Sequence, residues 1–204
     1  MKIAIIKYNA GNVKSVEIAL ERLGISPLLT DDPDEIRSSD KVIFPGVGEA
    51  SSAMRYLKER NLDKIIVEST QPFLGICLGM QLMCQFSEEN NTTCLGIFPE
   101  RVKKFDAESI QLKVPQIGWN NIFDLKTPLF NGVAENSYCY FVHGYYASLG
   151  DHTIAKAAYG IEYSAGLNRD NFYGVQFHPE KSADVGSKII QNFIETAYAD
   201  HSSH

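Results

Sequence analysis

The stretch Gly75-Ile76-Cys77-Leu78-Gly79 constrains the fold of this chain more than any other. It follows the apolar run Pro72-Phe73-Leu74 and precedes Met80-Gln81-Leu82-Met83, which predicts a strand, a sharp turn and a helix in direct succession. Glycines two residues to either side of a nucleophilic side chain are what such an elbow needs. The backbone at the apex is strained, and a side chain at either flank would collide with the neighbouring strand or helix. Here the apex side chain is a thiol. At a helix N-terminus the free N–H groups and the dipole favour a thiolate, and the next backbone N–H, that of Leu78, points to where an oxyanion would form. A free cysteine is most often a buried structural thiol, so Cys77 needs a base and an orienting group before it counts as a nucleophile.

The rest of the first half alternates strand and helix patterns: strands at 2–7, 26–29, 41–44 and 73–76, helical stretches at 13–23, 34–37, 50–59 and 62–67. The first helix is apolar at Val13, Val16, Ala19, Leu20 and Leu23, and Gly24 closes it as a C-cap. Strands separated by helices imply an α/β fold with a mostly parallel central sheet covered on both faces. In such sheets sites lie beyond the carboxyl ends of the strands, where Gly11, Gly46 and Cys77 all fall. Residues 95–148 are richer in aromatic and β-branched runs, which predicts antiparallel strands added to the sheet or packed beside it. Strand signals at 154–158 and 173–177 and a last helix at 187–198 follow. The tail with His201 and His204 is polar, and the whole reads as one domain.

The base lies in Phe172-Tyr173-Gly174-Val175-Gln176-Phe177-His178-Pro179-Glu180, read as a strand running out at Pro179. Residues i and i+2 share a face of an extended chain, and Pro179 keeps His178 out of the helical region. His178 and Glu180 can then address one site, His178 taking the thiol proton and Glu180 fixing the imidazole tautomer. Alone, such a pair is usually a surface ion pair. With a cysteine elbow upstream, a triad is the better reading.

These motifs resemble those of the class I glutamine amidotransferases, whose Cys–His–Glu triads lie on an elbow and a late HPE segment. Within that class the chain is similar to the glutaminase subunits of imidazole glycerol phosphate synthases. The matching stretches are Tyr8-Asn9-Ala10-Gly11-Asn12, Phe44-Pro45-Gly46-Val47-Gly48, residues 75–82, Val114-Pro115-Gln116-Ile117-Gly118-Trp119-Asn120, Tyr140-Phe141-Val142-His143 and His178-Pro179-Glu180-Lys181-Ser182. The resemblance implies glutamine hydrolysis through a Cys77 thioester, with Val47 and Leu78 as oxyanion donors. It implies substrate contacts from Gly46, Gly48, Gln81, Val142, His143 and Gly144. No metal or organic cofactor is implied. It further implies a heterodimer with a (β/α)8-barrel cyclase that consumes the ammonia, with Asn12, Trp119 and Lys181 at the interface or its gate. His143 is no second base on this reading, since Tyr145 stands where a carboxylate would be needed. Two positions depart from the family pattern: Gly144, where serine or threonine is expected, and Gln116, where histidine is expected in a position toward the partner.

Composition sets outer limits. The chain has 204 residues, 44% of them hydrophobic, and a formal net charge of −6, enough for a sizeable core and with no basic run to favour nucleic acid. No apolar run approaches a membrane span, and the first residues read as a strand, so a cytoplasmic protein is expected. Cys77, Cys84, Cys94 and Cys139 have no zinc-ligand spacing; Cys84 reads as a small buried hydrophobe. Two other readings stay open: the glutaminase of another synthase, of the anthranilate or guanylate type, and a catalytically silent partner-binding module. Against an elbow-type cysteine protease, the chain has no long cleft-forming insertion.

Overall fold

Alternation of apolar residues along the first strands sets the architecture. On β3 (Lys41–Phe44) Val42 and Phe44 enter one buried cluster and Ile43 the other; on β4 (Phe73–Ile76) Phe73 faces the first, Leu74 and Ile76 the second. A strand buried on both sides must be covered by helices on both sides. The computed structural model, which describes residues 1–8 and 13–196, has that form. Residues 9–12, with Gly11 and Asn12, and 197–204, with His201 and His204, lie outside the described residues.

The first half runs β1 (Ile3–Ile6), α1 (Val13–Arg22), β2 (Leu28–Thr30), α2 (Pro33–Arg37), β3, α3 (Ala50–Glu59), α4 (Leu62–Val67), β4 and α5 (Leu78–Met83). The second adds β5 (Phe86–Ser87), β6 (Thr92–Thr93), β7 (Arg101–Lys104), α6 (Ala107–Ile110), β8 (Gln116–Ile122), β9 (Ser137–His143), β10 (Tyr145–Ala147), β11 (Thr153–Tyr159), β12 (Ile161–Arg169), β13 (Phe172–Val175) and α7 (Ala183–Glu195). Among the described residues the main sheet runs β2-β1-β3-β4-β13-β12-β10-β7-β5-β6, with β11 on β12. The five strands from β2 to β13 are parallel, and β7, β10, β11 and β12 pair antiparallel. β8 and β9 form a separate antiparallel ribbon. Helices α2 to α5 cover one face; α1, α7 and the ribbon cover the other.

Local signals place the early elements. Asp32 caps α2 by accepting from the N–H groups of Asp34 and Glu35, with Pro33 at the first helical position. Gly24 ends α1 at φ 79°. Sequence patterning misses β12, whose Glu162, Ser164 and Gly166 are poor strand formers. The strand is central there, so Tyr163 to Leu167 are all buried and no alternation survives. Helix α7 starts at Ala183, four residues before the expected 187, because Gly186 lets its first turn lie against the Pro179 carbonyl, where a Cβ would overlap. Cys84 is fully buried, as expected of a small hydrophobe. Among the described residues no helix is long and apolar enough to cross a membrane.

Candidate active site

Strands β3, β4 and β13 are parallel neighbours, so their carboxyl ends, and the segments that leave them, lie side by side. The segment after β4 is the single residue Cys77, held at φ 52° and ψ −109°, a conformation costly for a side-chain-bearing residue. Its N–H donates to the Val175 carbonyl at 2.8 Å. The flanking glycines are required by space: a Cβ on Gly75 would sit 2.8 Å from the Met80 nitrogen, and one on Gly79 would overlap the Phe44 carbonyl oxygen. Both collisions anticipated from the motif therefore exist, one with the helix and one with the neighbouring strand.

After β13 the chain brings in the candidate base. β13 ends at Val175, so the paired strand does not reach Pro179. His178 is extended at φ −98° and ψ 94°, but Glu180 lies in a 3-10 turn over Pro179–Lys181, and it is this turn that bends the carboxylate back to the imidazole. Nδ1 of His178 lies 2.8 Å from Oε1 of Glu180, and both side chains are 2% exposed. Ser182 fixes the pair from below, its hydroxyl donating to the His178 carbonyl at 2.6 Å and accepting from the Tyr140 N–H at 2.9 Å. Burial disfavours the His178 imidazolium. The charge of an ionised Cys77 beside it and the Glu180 carboxylate outweigh burial, and the pKa is pushed up to about 10. Nε2 of His178 is buried without a hydrogen-bond partner among the described residues, which leaves it to exchange protons.

The oxyanion donors are not arranged as the sequence predicts. The Leu78 N–H donates to the Gly46 carbonyl oxygen at 3.3 Å. Because a trans peptide holds its C=O and N–H on opposite sides, the Val47 N–H then points away from Leu78. In this state the Leu78 N–H is engaged and the Val47 N–H is turned away from it. The turn after β3 explains why such an orientation is accessible: Gly48 sits at φ 144°, and Gly46 is pressed against the Tyr8 hydroxyl, where a Cβ would overlap it. That hydroxyl donates to the Pro45 carbonyl at 2.6 Å.

A cavity of about 260 Å³ opens over Cys77. Val47, Gly48, Leu78 and Gln81 line one side, and Pro115, Val142, His143, Gly144 and Tyr145 the other. Glu89, which sequence reasoning did not single out, supplies the only carboxylate of the lining among the described residues. Burial and the neighbouring Glu49 make it a weaker acid despite a hydrogen bond from the Ala50 N–H. Cys77 Sγ lies 3.7 Å from the Val142 carbonyl, within reach of a weak thiol hydrogen bond. Gly144 has ordinary van der Waals space at its Cβ position, 3.7 Å from Val114 and Pro115 side-chain carbons, so the missing side chain leaves room.

Two expectations are corrected. Gln81 does not keep its amide donors for a substrate: Nε2 donates to the Tyr145 carbonyl at 2.9 Å and to Oε1 of Gln176 at 2.8 Å. Gln176 in turn donates to Cys77 Sγ at 3.6 Å. Gln116 does not face outward but is 3% exposed and accepts from the Tyr163 hydroxyl at 2.9 Å. His143 has both ring nitrogens engaged, Nδ1 2.7 Å from the Tyr145 carbonyl and Nε2 3.3 Å from the Tyr163 hydroxyl, which speaks against a base there. Burial pushes its pKa down to about 4, and His178 adds to the effect, so the ring is neutral.

Outside the triad, Trp119 is 54% exposed on β8, edge-on to Tyr140 at 5.9 Å between ring centroids, with Ile117 and Tyr138 exposed beside it. Trp119 is therefore no core residue. Lys181 is exposed and makes no ion pair among the described residues. Another cavity, of about 320 Å³, is lined by Trp119, Lys181, Arg22 and Glu180, none of which lines the first.

An elbow thiol at the strand ends, with a His–Glu pair brought beside it, is the arrangement of a class I glutamine amidotransferase. The family profile "Glutamine amidotransferase class-I" matches residues 5–197, and the chain belongs to that family. Its membership narrows further, to the HisH family. The imidazole glycerol phosphate synthase subunit HisH of Bacteroides fragilis is 53% identical over 195 residues, covering 96% of this chain and 100% of that protein. The HisH subunit of Haemophilus influenzae is 45% identical over 96% of this chain and 98% of its own length. The crystal structure of a putative GMP synthase protein from Thermoplasma acidophilum superposes with a TM-score of 0.75 at 22% identity, covering 96% of this chain and 92% of the other, a likeness of fold alone.

Proposed function

We propose that the chain is a glutaminase that hydrolyses glutamine to glutamate and ammonia and passes the ammonia to a cyclase subunit of (β/α)8-barrel fold. There it would help form imidazole glycerol phosphate and an aminoimidazole carboxamide ribonucleotide in histidine biosynthesis, in the cytoplasm. The observation that carries the chemistry is the buried His178–Glu180 pair beside an elbow thiol. The names of the relatives support the choice of synthase over those of anthranilate or guanylate synthesis.

The Cys77 thiolate attacks the side-chain amide carbon of glutamine, and the carbonyl π electrons move onto oxygen. As the oxyanion collapses, His178 gives its Nε2 proton to the leaving nitrogen and ammonia departs, leaving the thioester. Neutral His178 then takes a proton from water, which attacks the thioester; the C–S bond breaks and glutamate leaves. Covalent catalysis divides one hard hydrolysis into two easier steps. The α-ammonium of glutamine has one carboxylate to meet in the cavity, Glu89. The backbone of Val142 to Gly144 would hold the other end, and Gln81 would offer only Oε1. The exposed ribbon bearing Trp119 would dock the cyclase, since a half-exposed tryptophan is a common interface anchor.

The test is glutamate release from glutamine by the chain alone, with the cyclase, and with cyclase plus nucleotide ligand. Release that climbs with partner and ligand and vanishes in Cys77→Ala is expected. Release indifferent to the cyclase would point to another synthase, and none at all despite tight cyclase binding would point to a silent module.

A further inference from the structure

Gln176 is fully buried, sits two residues before His178, and has no part in the mechanism above. Its side chain ends a relay of amides whose direction can be worked out. The Tyr145 carbonyl can only accept, so Gln81 must turn its NH2 group toward it. The second hydrogen of that NH2 goes to Gln176 at 2.8 Å, so Gln176 must present its oxygen to Gln81. Its own NH2 is then left facing Cys77 Sγ, at 3.6 Å, an ordinary separation for an N–H donor and sulfur. A backbone carbonyl thus fixes, through two side chains, which end of Gln176 meets the nucleophile. A buried amide that only filled space would be a costly choice, because each of its polar atoms must be paired.

We propose that Gln176 is a catalytic residue that holds and stabilises the Cys77 thiolate through its side-chain NH2. This rests on Cys77 being the nucleophile. While the thiol is neutral, its proton can go to the Val142 carbonyl, 3.7 Å away. Once the proton leaves, that carbonyl repels the sulfur, and the Gln176 donor is the neutral group that can bond it. Unlike His178, Gln176 does not lose its donor when it has given up a proton to the leaving group. It therefore remains available to the sulfur when the thioester is cleaved and the thiolate is regenerated.

Hydrogen bonds to charged groups are strong enough that losing this one lowers the thiolate population about tenfold or more. The measurement is the rate of Cys77 alkylation by iodoacetamide, read by mass spectrometry of the Cys77 peptide between about pH 5 and about pH 9. Gln176→Met keeps the volume and removes the donor. It is expected to slow alkylation near pH 7 about tenfold, with the rate recovering at higher pH, and to lower kcat in the cyclase complex about tenfold with KM changed less than about threefold. Gln176→Glu keeps the bond from Gln81 and turns an acceptor toward sulfur, so it is expected to slow alkylation more. A folded Gln176→Met with the wild-type alkylation profile overturns the proposal; if Gln176→Met does not melt cooperatively, the same profile in Gln176→Glu overturns it. Alkylation needs no glutamine turnover. A wild-type chain that releases no glutamate with its partner would end the glutaminase reading, while the alkylation profiles would still judge Gln176.

Discussion

Replacing Glu180 by glutamine keeps the shape of the side chain beside His178 and removes one charge. The contact is 2.8 Å between side chains each 2% exposed, so solvent screens it little. At an effective dielectric near 20, unit charges about 4 Å apart interact by about 4 kcal/mol, an upper figure, and the difference between a charged and a neutral hydrogen bond sets a lower one near 1 to 2 kcal/mol. The imidazolium that protonates the leaving nitrogen loses that support, so kcat should fall about fivefold to a thousandfold. KM should stay within about twofold, because Glu180 does not line the substrate cavity. The pH dependence has a definite sign. The folded pKa of His178 is raised, in part by Glu180, so its imidazolium persists into alkaline solution; without the carboxylate the pKa falls and the alkaline limb of kcat should move to lower pH. Steady-state glutamate release in the cyclase complex across pH measures all three quantities. An effect confined to KM, or a lowered kcat with the alkaline limb unmoved, would refute the assignment of Glu180 as the group that steadies the imidazolium.

Gly144→Ser should fold with Tm within about 2 °C of wild type and lower KM for glutamine, since open van der Waals space at its Cβ faces the cavity; a raised KM counts against that reading. Gly79→Ala drives a methyl group into the Phe44 carbonyl oxygen and should cost about 3 kcal/mol or more, a Tm loss of at least about 6 °C by calorimetry, whereas an unchanged Tm would mean that β3 and α5 can part freely. His143 is buried with a pKa of about 4 against about 6.5 unfolded. Between those values the unfolded chain binds a proton that the folded one refuses, so this group lowers stability as pH falls, by up to about 3 kcal/mol. Urea midpoints near pH 7 and pH 4.5 should show a smaller acid loss in His143→Gln than in wild type, and equal losses would count against a neutral buried ring.

The parts of the site that are legible in the sequence are those fixed by collision or by local spacing. Gly75 and Gly79 announce the elbow because nothing larger fits beside Met80 and Phe44. Sequence spacing pairs His178 with Glu180, correctly in outcome but for an incomplete reason, since a 3-10 turn rather than a strand brings them together. Gln176 is readable in principle, two residues from His178 along the same extended segment. Its meaning depends on Gln81, ninety-five residues earlier, and no local pattern reports such a meeting. Glu89 lies in a polar turn after α5 and carries no mark of its role before folding places it across the cavity. The helix dipole invoked for the thiolate weakens once α5 proves to be six residues long. The burden of favouring the anion shifts to side chains that sequence spacing does not connect.

The oxyanion site is the clearest case of identity without state. The motif assigns Val47 and Leu78 as donors, yet the Gly46 carbonyl occupies the Leu78 N–H. Residue types cannot encode which way a peptide plane faces when a flip changes only two adjacent dihedrals, here ψ of Gly46 and φ of Val47, the first of which a glycine bears cheaply. The energies make such a closed form a workable resting state. At 3.3 Å the Leu78–Gly46 bond is worth no more than about 1 kcal/mol net, whereas a single oxyanion donor is worth about 3 to 4 kcal/mol in the transition state. A partner that favours the flipped peptide by a few kcal/mol would therefore raise glutamate release about a hundredfold to a thousandfold without moving the triad. The hypothesis that the cyclase gates activity in this way is best tested away from Gly46, because Gly46→Ala would collide with Tyr8 whether or not a gate exists. Gly48→Ala is the better probe. Its Cβ meets only a Leu78 methyl at 3.8 Å, but φ 144° becomes strained, so the variant alters the conformational preference of the turn without blocking it. Partner activation measured as the ratio of complexed to free glutamate release should change several-fold in Gly48→Ala. An unchanged ratio, or an activated complex in which the Leu78 N–H still bonds the Gly46 carbonyl, would mean that activation operates elsewhere.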